Sequence, residues 1–231
     1  MNSRLFFVLT GKEFMEQWRT SRFIILLAIF LFFGILSPMT AKFMPDIIAS
    51  MVKSQNITIQ LPEASWKDAI GQYVKNISQM GVFIIILLSM GIVAREKENG
   101  TAGFLLVKPV SRELFILSKF SAQFMLLLAS MLLGLLSVCL YTMLFFGTFP
   151  VLIFTEISLI LFVYLLVVQS VTLFFSIVIK TQIPAGILAF LVVLIMGLLS
   201  LPGKVGVYSP SHLIDESQAM MKDGVLNWQP F

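Results

Sequence analysis

The sequence predicts an all-α protein, a polytopic bundle of transmembrane helices that forms one domain over residues 1–231. Hydrophobic residues make up 58% of the chain and charged residues only 12%, and the mean hydropathy is +0.96. A soluble domain carries about 25% charged residues, so this chain has about half the charge that a water-exposed surface needs. Five apolar stretches are long enough to cross about 30 Å of hydrocarbon at 1.5 Å per residue. Because lipid cannot hydrogen-bond to the backbone, these stretches are predicted to be helices.

The five predicted spans differ in length and in their helix-breaking residues. The second span is short and contains Gly81 and Gly91, and Pro38 near the end of the first predicts a kink or an end there. The fourth is long enough to require tilt or an end beyond the hydrocarbon. We place the spans at residues 23–41, 77–94, 120–146, 151–179 and 183–201.

The distribution of Lys and Arg predicts the orientation. Ten of the sixteen basic residues lie in residues 1–22, in residues 95–119 or at Lys180. The positive-inside rule places these segments in the cytoplasm and residues 42–76 and 202–231 outside. The basic residues adjoin apolar spans, so the net charge of +4 indicates a lipid surface and no nucleic-acid partner.

The residues before the first span form an amphipathic pattern. Thr10 followed by Glu13 is a capping box that would open a helix, and Arg22 closes the segment. One predicted face holds Phe7, Gly11, Phe14, Met15 and Trp18, and the other holds Lys12, Glu13, Glu16 and Arg19. The pattern predicts an interfacial helix on the cytoplasmic leaflet over residues 1–22. An ordinary extension of the first span is the alternative. A similar stripe, Trp66, Ile70, Tyr73 and Ile77, leads into the second span.

The most distinctive segment is the predicted cytoplasmic loop at residues 95–119. Charged residues end the second span, Asn99-Gly100 predicts a turn, and Ser111 can cap the next helix. Pro109 would stop a short apolar helix that begins after the turn. The residues that we assign to a partner-binding loop are Arg95, Glu96, Glu98, Gly100, Thr101, Phe104, Leu105, Pro109, Ser111 and Arg112. A helix that rests on the lipid surface is the alternative interpretation.

These segments resemble a known family. The run Glu96–Thr101, the run Lys108–Arg112 and Ser118-Lys119-Phe120 are similar to the first cytoplasmic loop of ABC-2 type exporter permeases. Lys12-Glu13-Phe14, Arg19–Arg22 and Ser37-Pro38 resemble the interfacial helix and first span of that family. The resemblance implies a multi-pass subunit of a bacterial or archaeal plasma membrane that pairs with a second permease copy or a homologous permease.

The resemblance also implies the partners and the span count. Cytosolic ABC ATPase subunits would hold ATP and Mg, and a coupling helix at about residues 100–107 would enter a groove on the ATPase. The family has six spans, whereas this sequence stops at residues 228–231, about where the sixth would begin. Either the chain continues beyond residue 231 or the closing helix is missing, and we expect the former.

Other candidate sites are few. No Gly-x-x-x-x-Gly-Lys-Ser/Thr motif is present, so this chain is not expected to hydrolyse ATP. His212 is the only histidine, and no metal site or cofactor is expected in this chain. A possible translocation path comprises Glu156, Gln169, Ser170 and Thr172. The alternatives are that Glu156 reaches the outer interface and that the other three form interhelical hydrogen bonds.

The predicted function is therefore the permease subunit of an exporter driven by a separate ATPase. A non-transporting scaffold that passes ATPase motion to another protein is the first alternative. An intramembrane enzyme is the second, and it is disfavoured because Glu156 is an isolated acid within the spans.

Overall fold

The computed structural model describes residues 3–53, 64–100 and 111–199 together with Pro210. Within these ranges the protein is helical and has no strand, which confirms the predicted all-α bundle. The helices are α1 (Ser3–Arg19), α2 (Arg22–Lys53), α3 (Trp66–Asn76), α4 (Val82–Ser89), α5 (Gly91–Glu98), α6 (Arg112–Phe146), α7 (Val151–Val178) and α8 (Gln182–Leu199), and one π-helical turn (Ile77–Gly81) joins α3 to α4.

Four of the described segments are long and apolar enough to cross a membrane. They are Arg22–Ser50 within α2, the nearly continuous segment Trp66–Glu98, and the helices α6 and α7. Helix α8 is apolar but shorter, at 18 residues. The fold is thus a multi-pass membrane bundle in which α2 packs against α3 and α6, and α7 packs against α4 and α8.

The first membrane helix does not end near residue 41. Helix α2 continues through Pro38 and Pro45 to Lys53, although each proline removes one backbone donor from the helix. Polar side chains stabilise the backbone beside Pro38: Ser37 Oγ donates to the Phe33 carbonyl oxygen (2.7 Å) and Asn76 Nδ2 donates to Ser37 Oγ (3.0 Å). Helix α2 therefore does not end at Pro38, which leaves a kink as the remaining alternative of that prediction.

The helix that contains the second span begins earlier than predicted, at Trp66. Asp68 Oδ2 accepts hydrogen bonds from the backbone N–H and the hydroxyl of Ser65 (2.8 Å each), which caps α3. The predicted stripe is confirmed as one face of this helix, because Ile70, Tyr73 and Ile77 are fully buried. Helix α3 therefore packs inside the bundle rather than over its end.

Helices α2 and α6 meet at two glycines. A Cβ atom added at Gly34 would lie 2.9 Å from the Gly134 carbonyl oxygen and against the hydroxyl of Ser137. A Cβ atom added at Gly134 would lie 2.8 Å from the hydroxyl of Tyr73 and 3.3 Å from the backbone oxygen of Phe30. Small residues at such a crossing let two membrane helices approach closely.

We expect Gly34→Ala to destabilise the protein by about 1–3 kcal/mol, because the added methyl group overpacks the contact between α2 and α6. The thermal unfolding midpoint of the purified protein measures the effect. Gly11→Ala is the matched control, since a Cβ atom there meets nothing within 4 Å. Equal midpoints for the two variants would show that the crossing at Gly34 tolerates a larger separation.

Candidate functional site

The candidate site is the end of the bundle where two helical stems flank the predicted partner-binding loop. Helix α5 is the stem before the loop and the first turns of α6 are the stem after it. The predicted coupling helix and its residues Thr101, Phe104, Leu105 and Pro109 lie outside the described residues.

The boundaries of both stems match the sequence prediction. Gly100 has a φ of +72°, a left-handed conformation that suits glycine, and its N–H donates to the Lys97 carbonyl oxygen (3.1 Å). The predicted turn at Asn99-Gly100 is therefore confirmed. On the other side, the Ser111 hydroxyl accepts from the Leu114 N–H (3.3 Å) and Glu113 lies in the first turn of α6. These contacts confirm the predicted cap.

A buried ion-pair cluster joins both stems to α1. Lys119 of α6 is 1% exposed, and its Nζ lies 2.8 Å from Glu13 of α1 and 2.8 Å from Glu96 of α5. The same ammonium lies 4.9 Å from the centre of the Phe115 ring. An ammonium this deep requires charged partners, because an uncompensated buried ion is strongly destabilising. The cluster therefore fixes α1, α5 and α6 relative to one another.

The cluster corrects two predictions about α1. The helix begins at Ser3, so Thr10 and Glu13 are in its middle and form no capping box. Glu13 was predicted on the solvent-facing side beside Lys12, yet it is 5% exposed and turns toward α6. Thr10, Glu13 and Gln17 form a buried polar face of α1. Their spacing of three and four residues was a readable signal for a shared face.

The apolar face of α1 points away from the bundle, as an interfacial helix requires. Phe7 and Trp18 are 70% and 53% exposed. The turn into α2 is stabilised by aromatic contacts, with the Phe23 ring 5.5 Å from that of Phe14 and 5.0 Å from that of Trp18. Arg19 is exposed and Arg22 is half-buried. Helix α1 thus combines an outward apolar face with a docked polar face.

A second set of contacts fastens α5 to α7 and α8. Lys97 Nζ donates to the carbonyl oxygens of Ser176 (3.5 Å), Ile177 and Ile179 (3.3 Å), which lie at the C-terminal end of α7. Such carbonyl groups have no partner within their own helix and favour a positive charge. In return, the Ser176 hydroxyl accepts from the N–H groups of Val93 and Ala94 (3.0 Å each).

The last acidic residue of α5 reaches the start of α8. Glu98 Oε2 accepts a hydrogen bond from the Gln182 N–H (3.5 Å), where a negative charge also interacts favourably with the helix dipole. The predicted loop residues Arg95 and Arg112 are exposed. The acidic and basic residues of α5 therefore contact different neighbours, Glu96 on one side and Lys97 and Glu98 on the other.

An open cleft of about 380 Å³ separates α1 from α5 at this end of the bundle. Its polar lining comes from both helices and the start of α2: Lys12, Glu16, Thr20, Arg22, Arg95, Glu96 and Asn99. Burial lowers the pKa of Lys12, but the carboxylates of Glu13, Glu96 and Glu16 outweigh this effect and raise it above the ordinary value. Lys12 therefore stays charged at neutral pH, and the cleft presents both signs of charge.

The structure separates the four predicted translocation residues. Gln169 and Thr172 of α7 are buried, at 2% and 0% exposed, whereas Ser170 and Glu156 point away from the bundle. Thr172 donates to the Val168 carbonyl oxygen of its own helix (2.8 Å) and Ser170 to that of Leu166 (2.7 Å). Glu156 lies in the second turn of α7. The four residues do not line one path within this subunit.

The burial of several polar side chains was not predicted from the sequence. They are Glu13, Gln17, Lys119, Gln123 and Ser176. Lys119 and Gln123 are four residues apart and therefore share one face of an otherwise apolar helix, which was the available signal. The carboxylates of Glu13, Glu16 and Glu96 lie within 4.8 Å of one another. Since Lys119 contacts two of them, the group is an ion-pair cluster.

Comparisons with known proteins agree with the fold. The family model described as "ABC-2 family transporter protein" matches residues 7–213. The chain is similar to the uncharacterized transmembrane protein YxlG of Bacillus subtilis (strain 168), with 26% identity over 123 residues. That match covers 52% of this chain and 47% of the relative, so the chain spans about half of the relative's length. No solved structure matches.

Proposed function

Because the chain belongs to the ABC-2 family of transporter proteins, we propose that it is the permease subunit of an ATP-driven exporter. In this proposal ATP and Mg are held by separate cytosolic ATPase subunits, and a bacterial or archaeal plasma membrane surrounds the permease. The loop at residues 95–119 is the point where the ATPase contacts it. The chain itself performs no catalysis.

The observation that carries the proposal is that α5, the stem before the loop, is bound to neighbouring helices on two sides. Glu96 connects α5 through Lys119 to α1 and α6, while Lys97 and Glu98 connect it to α7 and α8. A displacement of the loop is therefore passed to four other helices. A loop that only rested on lipid would not need buried ion pairs at its base, because each buried charge requires desolvation.

The cleft between α1 and α5 also supports docking of the ATPase at this end of the bundle. It opens beside the loop stem and presents Lys12, Arg22 and Arg95 together with Glu16 and Glu96. Mixed charges at the rim of an interface steer the approach of a partner and fix its orientation. We propose that the ATPase covers this cleft while its groove receives the apolar segment of the loop.

The function is tested by purifying the tagged full-length chain from its native membrane in mild detergent. We expect an ATPase subunit to co-purify, and its hydrolysis of ATP to depend on the permease. The Lys119→Met variant is the comparison. It breaks the cluster at the base of the loop, so its permease-dependent hydrolysis should be lower than that of the wild-type chain. A native complex with transport activity but no ATPase would contradict the proposal.

We also expect the chain to work with a second permease copy or a homologous permease. Large apolar side chains are exposed along α2, α6 and α8, so each helix has surface for lipid or for a second subunit. Chemical cross-linking in native membranes, followed by mass determination, measures the copy number. A functional complex that contains a single permease would show this expectation to be wrong.

The topology prediction is tested with single cysteines in a Cys139→Ser background. Position 99 should be cytoplasmic and position 54 external, so an impermeant thiol reagent added to intact cells should label Ser54→Cys and not Asn99→Cys. Asn99 is exposed, hence permeabilised cells should label it and provide the control. Labelling of position 99 alone in intact cells would reverse the orientation.

A further inference from the structure

A small enclosed cavity lies inside the bundle next to the cytoplasmic cleft. It offers about 10 Å³ of space, and three glutamines line it: Gln17 of α1, Gln123 of α6 and Gln169 of α7. Arg22 lines both this cavity and the wider cleft. The remaining lining includes Ser89 and the apolar side chains of α2, α4 and α6.

Each of the three glutamines is more than nine-tenths buried and has one amide atom that lacks a partner among the described residues. The exposed fractions are 5% for Gln17, 6% for Gln123 and 2% for Gln169. The atoms are Gln17 Oε1, Gln123 Oε1 and Gln169 Nε2. The other end of Gln123 is held, since its Nε2 donates to the Ser89 hydroxyl (3.1 Å). Two acceptors and one donor without a partner therefore belong to residues that line the same cavity.

We propose that this cavity is a hydration site that binds one water molecule, which hydrogen-bonds to Gln17, Gln123 and Gln169. The space is about that of a single water, and buried waters typically make about three hydrogen bonds. Water would donate to Gln17 Oε1 and Gln123 Oε1 and accept from Gln169 Nε2. Because water donates and accepts equally well, rotation of an amide by half a turn leaves each hydrogen bond possible.

The competing ligands fit this site less well. A cation would lie beside the guanidinium of Arg22, and like charges repel at such distances. An anion would meet two amide oxygens, and neither a phosphate nor a carboxylate fits in 10 Å³. Neutral water satisfies all three amides without adding charge.

The position of the site gives the water a mechanical role. Gln17 belongs to the interfacial helix, Gln123 to the stem after the loop, and Gln169 to α7. Among the described residues no hydrogen bond joins these three side chains directly to one another, so the water would be their shared polar link. It would couple α1 to the centre of the bundle at a second point beyond the Lys119 cluster.

The test compares Gln169→Met and Gln17→Met with the wild-type chain in thermal unfolding of the full protein in lipid nanodiscs. Methionine keeps the unbranched shape and removes the amide. If water is bound, each variant loses one hydrogen bond and its midpoint should fall by roughly 2–4 °C. Gln79→Met, at an exposed glutamine, is the matched control and should change little.

A dry cavity predicts the opposite sign, because each substitution would then remove a buried amide atom that has no partner. Unchanged or raised midpoints for both buried variants would therefore overturn the proposal. A density map of the wild-type protein at a resolution that shows ordered water is independent of any variant. A peak about 2.7–3.2 Å from the three amides supports the site, and a map without that peak rejects it.

Discussion

Replacement of Lys119 by methionine is expected to destabilise the protein by about 3–5 kcal/mol, the loss typical when one partner is removed from a buried ion pair. The carboxylates of Glu13 and Glu96 would remain near one another without the ammonium that lies 2.8 Å from each. For a chain of this size the thermal unfolding midpoint should fall by roughly 6–20 °C. Thermal unfolding of the purified full-length chain provides the measurement.

Two further variants show whether charge is the cause. Arg112→Met changes an exposed basic residue at the start of the same helix and should leave the midpoint nearly unchanged. The triple variant Glu13→Gln, Glu96→Gln, Lys119→Met removes the three charges together and should recover most of the stability. Permease-dependent ATP hydrolysis should stay low in the triple variant, because the ionic link between the loop stems and α1 is absent. A triple variant as unstable as Lys119→Met alone would show that packing, and not charge, makes Lys119 important.

Truncation of Phe104 to alanine is expected to weaken binding of the ATPase by a factor of about ten or more. Burial of one large apolar side chain contributes roughly 1.5–3 kcal/mol, and each 1.4 kcal/mol is about a tenfold change in affinity. Phe104 belongs to the apolar run at residues 104–107, which is too short to span a membrane and lies between the charged residues Glu98 and Lys108. Co-purification of the ATPase from detergent solution at several protein concentrations measures the loss of affinity. The permease-dependent rate of ATP hydrolysis is measured on the same samples.

Glu98→Ala and Arg112→Ala are the controls for the docking prediction. Both side chains are exposed at the stems of the loop, so they should reduce affinity less than Phe104→Ala while still impairing the stimulation of hydrolysis. Membrane insertion should be unaffected in all three variants. If Phe104→Ala leaves both ATPase binding and hydrolysis unchanged in a correctly inserted protein, the loop rests on the lipid surface and the docking assignment is wrong.

Local signals in the sequence were sufficient for the presence of the membrane helices and for the boundaries of the loop, but not for the ends of the first two spans. Long apolar runs predict membrane helices because their backbone groups must be satisfied within each segment. The part of the chain that the structure describes contains four segments of sufficient length. The turn at Gly100 and the cap at Ser111 were also predictable, because both depend on conformations and hydrogen bonds that span three or four residues. The resemblance of the loop to ABC-2 permeases agrees with the family match over residues 7–213.

The tertiary structure alone decided which polar residues are buried and what they contact. Glu13 and Lys119 are 106 residues apart in the chain. The spacing of Glu13 from Thr10 and Gln17 indicates a shared face, but it does not show that this face is buried. A charged residue in an amphipathic helix is ordinarily assigned to solvent, since burial requires desolvation. Here α6 and α5 bring an ammonium and a second carboxylate to the same point, which compensates for that desolvation. The side chain beside Pro38 also has a partner from a distant part of the chain, because Asn76 Nδ2 donates to Ser37 Oγ.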